Sequence, residues 1–190
     1  MASVFEVLTR DHEQVRQMLA ELESGPTALA GASPGQLAER KEKVQTLVME
    51  ESRHEAAEQM YLWPAVRDRV PGGGHLADQA VGQEQEGAEV RYSLDQADAG
   101  DPEFEGLVGE FIAASRDHIA YEEDQVWPGL RASLSEAEAS ELGSKIAQAK
   151  QTAPGRSHPR TPASPGAVES AGPAVAAVDQ ARDGVPGPGR

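Results

Sequence analysis

Cysteine is absent from all 190 residues. That removes disulfides, zinc ribbons, iron–sulfur clusters and thiolate nucleophiles, and it is compatible with a reducing cytoplasm. No apolar run approaches the roughly 20 residues needed to cross a bilayer. The opening MASVFEVLTRDHE lacks the basic start and apolar core of a signal peptide, so the expected chain is soluble, cytoplasmic and free of membrane. No Gly-x-Ser-x-Gly is present, and GGGH at 72–75 lacks the Lys-Ser/Thr of a phosphate loop. Positive charge is scarce as well: 17 Lys and Arg face 32 Asp and Glu, a net charge of −15. Phosphate binding is driven by Lys and Arg, so nucleic acid is not an expected partner. An acidic surface mainly keeps a small protein soluble and monomeric, and a monomer is expected.

No segment alternates with a period of two, which leaves no strand candidate. The period that is present is helical. Phe5, Leu8, Val15, Leu19 and Leu22 fall at steps of three and four with His12 filling the gap, predicting a helix from Ser3 to about Ser24. A second is predicted from about Gln36 to Asp68, with Pro64 near its end kinking or restarting it. A third is predicted from about Leu76 to Ala97. The fourth follows a DAGDPEF turn, with Asp101 as N-cap and Pro102 in the first helical position. A shorter helix from about Ser135 to Lys150 completes an antiparallel four-helix bundle over residues 1–150.

Residues 151–190 contain seven Pro, six Gly and eight Ala and no aromatic residue. Such a segment cannot bury enough apolar surface to offset its conformational entropy, so a disordered tail is expected there. Four Arg against Glu169, Asp179 and Asp183 give that segment +1, which leaves −16 on residues 1–150.

One phrase is written twice, as HEAAEQMYLWP at 54–64 and HIAYEEDQVWP at 118–128. In each copy His and Glu stand four apart, on one helix face and on the apolar stripe. A single such pair reads most simply as a core histidine beside an outward-leaning carboxylate. Two pairs in one context, joined by His12, place three imidazoles and at least two carboxylates in one cysteine-free core. Burying them without partners is costly, and a metal suits imidazole and carboxylate together, so the pattern points to a two-metal site.

The stretches LTRDHEQV, RHEAAEQMYLWPAV and SRDHIAYEEDQVWPGLR resemble the motifs of the hemerythrin-like, or HHE cation-binding, family. The likeness covers about residues 3–150. In ferritin-like di-iron bundles the order is Glu-x-x-His, whereas here His precedes Glu by four. The resemblance implies a non-haem di-iron centre bridged by two glutamates and an oxygen species, with His12, His54, Glu58, His118 and Glu122 as ligands. The third helix departs from the family pattern. The position expected to hold His, ten residues before Leu94, holds Glu84. Glu84 is either a substitute ligand or an acid in a partly wet core beside an incomplete site.

Smaller expectations attach to single residues. Glu51 either orients an imidazole or is solvated; Tyr61 either reaches the iron or packs. Trp63 and Trp127 are expected to cap the bundle ends. His75 belongs to a loop or helix start, and His158 to the tail. The resemblance implies a small ligand (O2, peroxide or nitric oxide) and leaves open whether it is carried, sensed or turned over. Glu84 in place of an imidazole adds negative charge, which favours oxidised metal and argues against reversible O2 carriage. The alternatives are a non-catalytic module for zinc, manganese or a single iron, and a metal-free interaction bundle.

Overall fold

Three serines open three helices in the same way. Ser3, Ser33 and Ser135 each accept the backbone N–H of the third residue on, and the Glu6, Gln36 and Glu138 side chains return to the serine N–H groups. These caps start α1 (Val4–Ser24), α2 (Pro34–Ala57) and α7 (Glu136–Thr152). The computed structural model describes residues 2–153, and the expected tail with His158 lies outside them.

The two Trp-Pro pairs do not end their helices. After α2 the chain makes a π-helical turn, Glu58–Leu62, and continues as α3 (Trp63–Arg69); after α5 (Phe104–Tyr121) it makes a second, Glu122–Val126, and continues as α6 (Trp127–Ser133). Proline has no N–H, and its ring collides with the carbonyl four residues back, so a regular turn cannot pass through Pro64 or Pro128. The widened turn resolves this: the Trp63 and Trp127 N–H groups reach back five residues to the Glu58 and Glu122 carbonyls. Each π turn therefore begins on the glutamate of a His-x3-Glu pair.

The third bundle helix, α4 (Gly73–Gln96), starts three residues before Leu76, because Gly72 at φ +75° turns the chain directly out of α3. His75 lies exposed in its first turn. Asp101 is not a cap. Its side chain accepts the Asp98 N–H at 3.1 Å, its carbonyl accepts the Phe104 N–H, and α5 begins only at Phe104.

The described residues are all helical, in five columns. α1, α2, α4 and α5 form a bundle in which α1 packs on α2 and α5, and α4 on α2 and α5, while α7 lies against α1 and α2. Gly143 lets α7 close on the start of α1, since a Cβ there would sit 2.7 Å from the Ala2 carbonyl oxygen and the Val4 nitrogen. Two apolar clusters fill the interior. One gathers Phe5, Leu8, Trp63, Val66, Trp127 and Ile146, and the other Leu19, Leu47, Leu94, Phe104 and Phe111. Between them lies a buried polar layer of His12, His54, Glu58, Glu84, Arg91, His118 and Glu122. No helix of the described residues is long and apolar enough to cross a membrane.

Candidate metal centre

Four bundle helices each send side chains into that layer. His12 comes from α1, His54 and Glu58 from the α2 column, Glu84 from α4, and His118 and Glu122 from the α5 column. Two groups form. Ligand atoms of His12, His54, Glu58 and Glu122 lie within 4.8 Å of one another, as do those of Glu58, Glu84 and His118. Glu58 belongs to both. Glu122 faces one histidine of each group, at 3.3 Å from His12 Nε2 and 2.9 Å from His118 Nε2. The geometry is two adjoining cages with Glu58 common to both and Glu122 of the first facing His118 of the second.

The imidazoles are oriented from behind. His12 Nδ1 donates to Glu123 Oε1 at 2.9 Å, His54 Nδ1 to Asp11 Oδ2 at 3.3 Å, and His118 Nδ1 to Gln83 Oε1 at 3.1 Å. Carboxylate and amide oxygens accept only, which puts the proton on Nδ1 and turns each Nε2 inward. The holders are themselves held: Arg16 forks onto Glu123 at 3.0 and 2.7 Å, and Lys150 of α7 grips Asp11 at 2.7 Å.

Among the described residues, ten buried side-chain nitrogen and oxygen atoms have no hydrogen-bond partner. Seven of them are His12, His54 and His118 Nε2 and both oxygens of Glu58 and Glu122, acceptors that, with Nε2 unprotonated, only face one another, at 2.9–3.3 Å between each Nε2 and a carboxylate oxygen. Leaving one such group unbonded costs about 1–3 kcal/mol. Seven converging on one volume fit cations, because imidazole nitrogen and carboxylate oxygen are the donors that zinc, iron and manganese take. Protons are the other way to balance this charge. Burial alone would lower both histidines, but Glu58 and Asp11 hold His54 well above its usual range, and Glu122 lifts His118 to about 10. Burial raises the Glu58 carboxyl, with Glu122 adding to it. Glu122 stays low against its burial because His118 and His12 face it.

Glu84 is 2 % exposed, so the core around it is closed. Its Oε1 accepts the Trp63 indole N–H at 2.5 Å and its Oε2 the Gln59 amide at 2.6 Å. Each oxygen keeps a further lone pair toward Glu58 and His118. Burial pushes its carboxyl well above the ordinary range, and the neighbouring Glu55 pushes the same way.

The two tryptophans are not end caps. Trp63 bonds Glu84, and Trp127 stacks on the His12 ring, with centroids 5.1 Å apart and planes at 14°. Their side chains wall the site because the π turns rotate them inward. Glu51 is buried, and Arg91 faces it at 3.4 Å while also pairing with Glu55. Burial lifts Glu51 to about 7 against the pull of Arg91. Sequence reading missed Arg91, although it lies seven residues after Glu84 on the same α4 face. Asp11, Gln83 and Glu123 adjoin candidate ligands in the chain but serve imidazoles on other helices, in three of three cases, and no spacing rule reports that. Tyr61 is half-buried against the apolar cluster.

A family model described as the Hemerythrin HHE cation binding domain matches residues 3–130. The crystal structure of a hemerythrin HHE cation binding domain-containing protein from Mycobacterium kansasii aligns with a TM-score of 0.66 at 21% identity. The alignment covers 80% of this chain and 86% of that one, which shows a shared fold. No curated protein matches the sequence. Helix α7, which carries Lys150, lies beyond the matched residues.

Proposed function

The chain belongs to the hemerythrin HHE cation-binding domain family, and on that premise we propose that it holds two non-haem iron ions and binds or reacts with O2, peroxide or nitric oxide in the cytoplasm. The observation that carries this reading is the set of seven orphaned, inward-facing ligand atoms with Glu58 common to both cages. His12, His54, Glu58 and Glu122 would hold one ion, and Glu58, Glu84 and His118 the other, with Glu122 spanning the pair. Bound iron supplies an open coordination position and one-electron chemistry toward oxygen and nitrogen ligands. The protein's own contribution is orientation. Asp11, Gln83 and Glu123 set the imidazole tautomers, and the two tryptophans and the apolar clusters keep bulk water out.

Three carboxylates in the donor set make the site more anionic than an imidazole-rich one. That stabilises oxidised metal and favours peroxide or nitric oxide chemistry, or redox sensing under oxidative or nitrosative stress, over reversible O2 carriage. The same donors also suit a zinc or manganese module. Elemental analysis and an absorption spectrum of the purified full chain separate these readings. About two irons per chain with ligand-to-iron charge-transfer bands is the expected result. Colourless protein with stoichiometric zinc would replace iron in this reading, and metal-free protein after iron loading would overturn it.

A further inference from the structure

The two cages differ in their donors, and Glu84 makes the difference. Glu58 is common to both and therefore distinguishes neither. What is left is His12, His54 and Glu122 in the first group against Glu84 and His118 in the second. The first position offers two imidazole nitrogens, whereas the second offers one among carboxylate oxygens. Glu122 widens the gap, since its Oε1 lies 2.9 Å from His118 Nε2 and adds a further oxygen on that side. A histidine at position 84 would have made the nitrogen counts equal. The side chains behind the ligands act in the same direction. Carboxylates accept the Nδ1 protons of His12 and His54, from Glu123 at 2.9 Å and Asp11 at 3.3 Å, whereas the neutral amide of Gln83 accepts from His118 at 3.1 Å. A carboxylate behind an imidazole strengthens it as a nitrogen donor. Arg16 and Lys150 share those two carboxylates and reduce the effect, but Gln83 has no charge to share.

We infer that the two positions select different ions when both metals are supplied, iron(II) at the His12–His54 position and manganese(II) at the Glu84–His118 position. The inference rests on the two-metal reading and adds to it the metal that each half prefers; supplied with iron alone, both positions take iron. Imidazole nitrogen suits iron, carboxylate oxygen suits manganese, and iron binds a given donor set more tightly than manganese does. Exchanging an imidazole for a carboxylate therefore costs iron more than it costs manganese. With one ion of each kind to place, iron on two nitrogens and manganese on one is the more stable arrangement. Glu84 is the residue that sets this order.

Metal-free full chain, given one equivalent each of iron(II) and manganese(II) without oxygen and then crystallised, tests this directly. Anomalous diffraction on either side of the iron and manganese absorption edges identifies the ion at each position. The ratio of iron to manganese at the His12–His54 position should exceed that at the Glu84–His118 position by about tenfold or more. Equal ratios, or the reverse order, overturn the inference. Glu84→His, combined with Trp63→Phe because the indole N–H bonds Glu84, gives the second position two nitrogens and should bring the two ratios together. Gln83→Glu leaves every ligand in place, puts a carboxylate behind His118 and should narrow the same difference. A difference unchanged in both variants overturns the inference, and the wild-type crystals decide it if neither variant folds. Two ions bound with scrambled occupancy overturn this inference alone, whereas a chain that takes up fewer than two ions overturns the two-metal reading with it.

Discussion

Restoring histidine at position 84 is the change that the family pattern invites, and the structure predicts that by itself it fails. Glu84 accepts from two donors, the Trp63 indole at 2.5 Å and the Gln59 amide at 2.6 Å. A carboxylate can take both and still offer a lone pair to an ion. A neutral imidazole bound to an ion through one nitrogen has only an N–H left. Gln59 is half-buried and can turn its amide round to accept that hydrogen. Trp63 cannot adapt, being 2 % exposed with a donor and no acceptor. Stranding its N–H costs about 1–3 kcal/mol, roughly a 5- to 150-fold loss of affinity for the ion shared with Glu58 and His118. Glu84→His should therefore hold its second ion more weakly than the double variant Glu84→His/Trp63→Phe, which has no indole to strand. Glu84→Ala removes the ligand and strands the indole together, so it should lose that ion and melt roughly 2–12 °C lower in the metal-free form. Iron per chain after gel filtration, with chelator competition for affinity, reads all three. Equal affinity in the single and double histidine variants would refute the donor argument, and full iron content in Glu84→Ala would show that Glu84 binds no metal.

Three further outcomes follow from the geometry. Glu58→Gln should empty both positions, because Glu58 belongs to both groups, whereas His118→Ala should leave about one iron per chain; equal loss in elemental analysis would undo the shared-carboxylate assignment. Lys150→Met should weaken metal binding by about tenfold through Asp11 and His54, and removing residues 136–190 should do at least as much. Removing only residues 154–190 should leave chelator-competition affinities unchanged, as should His75→Ala. Metal loading at pH 7 should release at least two protons, since in the metal-free protein His118, held up to about 10, and His54, held well above its usual range, are protonated there, and the raised carboxyl of Glu84 adds to them. Affinity therefore rises with pH toward 10 and falls with acid, and calorimetry in two buffers of different ionisation heat should count those protons; none released would contradict the assignment of both imidazoles as ligands.

Whatever is set by neighbours three to five residues apart was legible without coordinates. The stripe through Phe5, Leu8, His12 and Val15 names the buried face of α1, because a helix repeats every 3.6 residues whatever it packs against. The same period puts His54 with Glu58, and His118 with Glu122, on core-facing stripes, and the repeated phrase implied a site with two halves. Pro64 and Pro128 announced a local break for an equally local reason, a missing N–H and a clashing ring. The form of the break was decided by tertiary packing. A kink, an ended helix and a π turn all relieve the same clash, and only the packing of Trp63 against Glu84 and Trp127 against His12 selects the last. The same holds for the atoms that orient the metal ligands. Asp11 serves His54, Glu123 serves His12 and Gln83 serves His118, each across a helix interface and 35 to 111 residues away in the chain. Side-chain rotation and helix offset fix those pairings, and both are properties of the packed bundle. Lys150 makes the point at the longest reach: an ordinary surface lysine by sequence, it meets Asp11 only because Gly143 lets α7 close onto α1.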